Sequence, residues 1–191
     1  MRAGRRRRRR EGATLLQVAL GISIAGCVVA AFLPRFLRDL RLSKMNEASS
    51  ELNRMHWGAA AYFATPWTPE GWEPGDDPLE HCLPVGAGPT PDEPSEEPVE
   101  VDFADPELPG SETWRGLVFF PDGPIRYRYS FVPVEPGCDL RSPDGTYLVT
   151  MRAEGDLDGD GARSLFERRA RANDEGELVP TGILYVRDRS E

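Results

Sequence analysis

The sequence predicts an α+β protein in which one long N-terminal helix packs on a small antiparallel β-sheet. Three observations lead to that class. Residues 13–33 form an apolar run without a single charge. From 34 to 64, apolar side chains recur at three- and four-residue steps. Beyond residue 112, short runs alternate apolar and polar residues between Gly- and Pro-containing turns.

The opening segment, 1–12, holds seven arginines, Arg2 and Arg5 to Arg10, against Glu11. It carries +6 in a chain whose total is −9, so the remainder stands at −15. Such an acidic body has no evident basic face for phosphates, and no nucleic-acid contact is expected. The arginines are better explained by the apolar segment beside them. The run 13–33 (ATLLQVALGISIAGCVVAAFL) is long enough, at 1.5 Å per residue, to span the roughly 30 Å core of a bilayer. Basic residues on its N-terminal side hold that end in the cytoplasm and place the rest of the chain outside. A secretory signal would leave through small residues spaced for cleavage. Here the exit is Phe32-Leu33-Pro34-Arg35-Phe36, which suits that cleavage poorly, and twin-arginine export meets the same objection.

This N-terminus resembles the class III signal of type IV pilins and pseudopilins, a short basic leader ending in Gly and followed directly by an apolar helix. Gly12 stands where the family is cut, Ala13 where the new, N-methylated terminus forms, and Thr14-Leu15-Leu16 match the run that comes next. Gly26 and Pro34 fall where the family often has a glycine and a helix-loosening proline. Proline removes a backbone donor and clashes with the preceding turn, which suits such loosening. One position departs. The fifth residue after the cut is usually a glutamate that pairs with a neighbour's terminal amine, and here it is Gln17. A neutral amide is cheaper to place in lipid and weaker as a docking group, which leans toward a minor or tip subunit. The resemblance covers residues 1–64.

Segment 34–64 is expected to continue the helix in amphipathic form. Leu33, Phe36, Leu37, Leu40, Met45, Ala48, Leu52, Met55, Ala59, Tyr62 and Phe63 make the apolar stripe, with an end near Thr65-Pro66. Segment 65–112 reads as a Pro- and acid-rich connecting loop that buries little surface, anchored at its start by Trp57, Trp67 and Trp72. Segment 113–191 reads as the sheet. Strands are expected at 113–120 and 125–132, joined by a hairpin turn at Pro121-Asp122-Gly123-Pro124, then at 146–153, 165–172 and 181–187.

Two cysteines lie in this polar body, Cys82 and Cys138, and a third, Cys27, in the apolar run. In an exported domain Cys82 and Cys138 can form one disulfide; two free buried thiols are the alternative. The sharpest chemical motif is residues 156–167. Asp156, Asp158 and Asp160 occupy the first, third and fifth positions of an EF-hand loop, Gly161 the sixth, Ala162 the seventh through its carbonyl, Ser164 the ninth and Glu167 the twelfth. Alternate side chains on a tightly turning loop converge, and oxygen ligands suit calcium. The flanks read as strands, so the expectation is a calcium loop inserted in a sheet, with Glu167 the doubtful ligand. An acidic turn that merely matches the spacing is the other reading.

The expected function is structural: a pilin, minor pilin or pseudopilin of a type IV pilus or type II secretion-type filament. Its partners would be other pilin-like subunits through the N-terminal helix, the prepilin peptidase that processes it, and the inner membrane. It would sit there as a single-pass protein with a cytoplasmic N-terminus and a periplasmic or extracellular C-terminal domain. The alternative is a signal-anchored periplasmic calcium-binding module that does not polymerise. No enzyme is expected: His56 and His81 are the only imidazoles, neither stands beside a nucleophile, and no phosphate loop, nucleophile elbow or zinc spacing appears.

Overall fold

The computed structural model describes residues 14–68, 71, 73, 75–181 and 184–187, with the side chains of 34–44, 185 and 186 outside that description. The chain forms two compact units, Met1–Leu42 and Ser43–Glu191. One helix, α1 (Leu15–Ala64), contributes to both.

In the first unit, Leu15–Leu33 has a mean hydropathy of 2.2 and is long and apolar enough to cross a bilayer. Its side chains are exposed to whatever surrounds the helix. The N-terminus closes on itself. Gln17 Oε1 accepts the Thr14 N–H at 2.9 Å, and Thr14 Oγ1 accepts the Gln17 N–H at 3.4 Å. This is a capping box, which satisfies two backbone donors that have no partner within the helix. Ser23 Oγ donates to the Ala19 carbonyl at 2.9 Å, so its hydroxyl also needs no outside acceptor.

The second unit is a sheet packed on the last five turns of α1. Ala48, Leu52, Met55, Ala59 and Phe63 are fully buried, which is the expected stripe at helical spacing. The sheet comprises β1 (Ala87–Thr90), β2 (Arg128–Pro133), β3 (Val149–Gly155), β4 (Ser164–Ala172), β5 (Leu178–Pro180) and β6 (Tyr185–Arg187). Its order is β1-β2-β3-β4-β5, β6 pairs with β4, and every pairing is antiparallel. Tyr127, Tyr129 and Phe131, then Val149, Met151 and Ala153, point at the helix as period-2 alternation requires, and all are fully buried. Glu47 joins the two layers. Its Oε1 accepts the Arg126 N–H at 2.6 Å and its Oε2 the Arg126 guanidinium at 3.3 Å.

Two expectations are corrected. Residues 113–120 are not a strand. Their first half is helix α2 (Ser111–Gly116), so no hairpin runs through Pro121-Asp122-Gly123-Pro124. Thr113, Trp114 and Leu117 are buried at helical spacing, and Phe103, Trp114 and Phe119 form an aromatic cluster with centroids 5.1–5.4 Å apart. Burying three rings together outweighs the strand propensity of the run. Gly58 on α1 admits this arrangement, since a Cβ there would lie 1.9 Å from the Leu117 carbonyl oxygen.

The second correction concerns 65–112, which is part of the core. Leu83, Ala87 and Phe103 are buried in it, β1 extends the sheet, and bridges pair Leu83 with Gly137 and Val99 with Ile125. Polar composition hid this because the few apolar residues are each placed against distant partners. Pro89 and Pro91 cannot donate, so β1 closes its edge of the sheet. Trp67 stacks on Tyr62 at 4.8 Å, but Trp57 is exposed, and Trp72 lies outside the described residues. A disulfide joins Cys82 to Cys138 across 56 residues, worth roughly 4 kcal/mol in the chain-entropy account.

Candidate functional site

The turn between β3 and β4 starts from the last cross-strand pair, Gly155 with Ser164. Leu157 is buried and ties the turn to the core, while Gly159 and Gly161 take the positive φ of 73° and 89° that a tight reversal needs. Asp156 accepts the Gly159 N–H at 2.8 Å on one oxygen and the Gly161 N–H at 3.1 Å on the other. Asp160 accepts the Ala162 N–H at 2.7 Å, and Asp158 the Asp160 N–H at 3.4 Å. One carboxylate oxygen from each of Asp156, Asp158 and Asp160 lies within 4.8 Å of the others. Ligands of a hard cation stand about 2.0–2.6 Å from it, so a single divalent ion can touch all three oxygens.

The other proposed ligands are differently employed. Ser164 is buried, and its Oγ donates to the Gly155 carbonyl at 3.1 Å, closing the hairpin. Ala162 meets the cluster through its N–H. Glu167 is three residues up β4, about 10 Å along the strand. It is 5% exposed and accepts Arg152 Nε at 2.9 Å and Arg169 Nε at 2.7 Å. The structure therefore brings together three of the six residues and leaves Glu167 in an arginine pair. The three carboxylates fit a hard divalent cation without singling out calcium.

At the other end of the chain, Gly12 and Ala13 lie outside the described residues. Gln17 is the capping residue already described. Pro34 lies within α1, with its side chain outside the description. Cys27 is a free, exposed thiol in the apolar segment.

One charged surface escaped the sequence reading. Within the described residues of the strands, the sheet face turned away from α1 carries Arg128, Arg152, Arg169, Arg171 and Arg187 against Glu154 and Glu167, three more positive charges than negative. The body as a whole is acidic, so this contradicts the premise that it lacks any basic face. The signal was period-2 recurrence: residues 167, 169 and 171 share one face of a strand, as do 152 and 154.

Within the core, burial governs the titrating groups. Burial lifts the Glu51 carboxyl above its usual range, against the pull of Arg54. Burial, and secondly the Arg168 charge, lowers the His56 imidazole, whose Nδ1 has no hydrogen-bond partner among the described residues. His81 lies against the Phe63 ring at 5.0 Å.

Comparison with protein-family models, characterised proteins and solved structures finds no match to this chain.

Proposed function

We propose that this chain is a structural subunit of a pilin-like filament, either a type IV pilus or a type II secretion-type assembly. The observation that carries the reading is α1 itself: a single helical element contains both the apolar segment Leu15–Leu33 and the stripe Ala48–Phe63 that packs into the domain core. An anchor meant only for tethering has no need to continue as a core element of the domain it holds. A subunit drawn from a bilayer into a helix-packed fibre does. The leader ending at Gly12 supports the same reading through its resemblance to a prepilin signal. A divalent cation on Asp156, Asp158 and Asp160, calcium by preference outside the cell, would neutralise three adjacent carboxylates and stiffen the β3–β4 turn.

The capping box favours the second reading, an anchored periplasmic cation-binding module that never polymerises. The Gln17 amide oxygen is engaged by Thr14 of its own chain, where a docking group would reach for a neighbour. Substituting Gly12 separates the two. Gly12→Val leaves an unprocessed chain of higher mass if a prepilin peptidase acts there, and leaves the mass of a simple anchor changed only by the substitution itself.

A further inference from the structure

We propose that the arginine face of the sheet is a docking surface for the acidic segment 96–100 of a second copy of this chain, joined head to tail. The inference rests on the filament reading, which brings copies together in one membrane. The receiving ground is Arg152, Arg169 and Arg171. The first two keep 42% and 47% of their side chains exposed even while paired to Glu167, and Arg171 has no ion-pair partner among the described residues. Glu167 thereby orients two guanidinium groups without neutralising the patch. The β4–β5 turn beyond it carries Asp174, Glu175 and Glu177, which confines the cationic ground to the face itself.

The complementary surface is on the same molecule. Glu96, Glu97 and Glu100 are exposed and have no hydrogen-bond or ion-pair partner among the described residues. Their backbone is held: the Ser95 N–H donates to the Arg126 carbonyl at 3.0 Å, and Val99 pairs with Ile125. Pro94 and Pro98 stiffen it further. The acids are therefore presented with little entropy left to lose on contact.

Geometry keeps the two surfaces from meeting within one chain. The acidic segment pairs with residues 125–126, just before β2. Through the register Pro133–Val149–Ala170, Arg171 lies level with the opposite end of β2. The length of β2, Arg128–Pro133, lies between those levels, about 17 Å of strand. Two different patches at opposite ends of a sheet make a heterologous contact, which propagates as an open chain of subunits. A long polyanion fits less well. The contact offers three arginines, two of them already sharing Glu167, and the net −15 body repels an extended phosphate chain on every other side.

The test uses full-length chain in native membranes, in a Cys27→Ser background, with two differently tagged copies. Val179→Cys, which pairs with Arg171 across the strands, is placed on one copy and Pro98→Cys on the other. The proposal expects an inter-copy disulfide, whereas Ala61→Cys, exposed on α1, with Pro98→Cys gives none. Arg171→Glu on the receiving copy should lower the yield about tenfold, and Glu97→Arg on the donating copy should restore it. Cross-linking should also fall as salt rises from about 0.05 to about 0.5 M. Because Arg171 has no partner to orphan, loss of fold does not account for the drop; Arg169→Gln, which keeps a donor for Glu167, provides the second variant. Cross-links no stronger than the Ala61 control would overturn the proposal, as would failure of the charge swap. So would Arg171-dependent binding of DNA or anionic vesicles in place of a second copy. Cleavage at Gly12 is scored on the same samples, so processing can persist while this contact fails.

Discussion

Glu47 on α1 holds the start of β2 through three contacts: the Arg126 N–H at 2.6 Å, the Tyr127 N–H at 3.4 Å and the Arg126 guanidinium at 3.3 Å. It is the polar clamp between the helix and the sheet, in a layer otherwise held by apolar burial. Removing the carboxylate leaves two backbone donors and a charge to find new partners. Glu47→Ala should cost about 2–3 kcal/mol, and Glu47→Gln, which retains an acceptor, about half of that. Denaturant unfolding of the detergent-solubilised chain measures both.

The proposed cation site and Glu167 can be tested separately. Calcium should raise the melting temperature of the intact chain, by about 2.7 kcal/mol of stabilisation at a hundredfold excess over its dissociation constant. Asp158→Asn should abolish that response with little change in the metal-free protein, because Asp158 is exposed and makes one weak bond. Glu167→Gln should do the opposite. The response to calcium persists, while baseline stability drops as Arg152 and Arg169 lose their shared partner.

His56 predicts a slope on the acid side of stability. Its folded-state pKa is lowered, by burial first and by Arg168 second, from an ordinary value of 6.5. Below 6.5 the unfolded chain therefore binds a proton that the folded chain resists. The contribution is complete above 6.5 and is lost as pH falls toward the folded value. His56→Gln should flatten that part of the curve, read from melting temperatures between about pH 4 and pH 8.

Gly58 tests the packing of α1 against α2. A methyl group there meets the Leu117 carbonyl oxygen at 1.9 Å, so Gly58→Ala gains helix propensity yet forces the two elements apart. The net effect should be destabilisation of about 2 kcal/mol, measured by thermal unfolding.

Local periodicity made much of this legible. Leu52, Met55, Ala59 and Phe63 recur at helical steps, and the outward residues of β4 recur at every second position, so both elements could be read without tertiary knowledge. Asp156, Asp158 and Asp160 were legible for the same reason: their convergence depends on a turn of five residues. Glu167 was the doubtful ligand because the flanks read as strands, and its direction does follow the period of β4 and not that of the loop. Trp114 and Leu117 fit either a strand or a helix, and the decision came from Phe103, which lies outside that run. Leu83 is buried through Gly137 and the adjacent disulfide, a pairing no local pattern announces. The arginine face was visible as alternation but masked by a net charge of −9.

The central claim is that the apolar half of α1 belongs to a processed filament subunit. Intact mass and N-terminal sequencing of the chain, purified from its own membranes, test it most directly. The account predicts a chain that begins at Ala13 and carries an added methyl group. A chain that still carries Arg5 to Arg10 would contradict it.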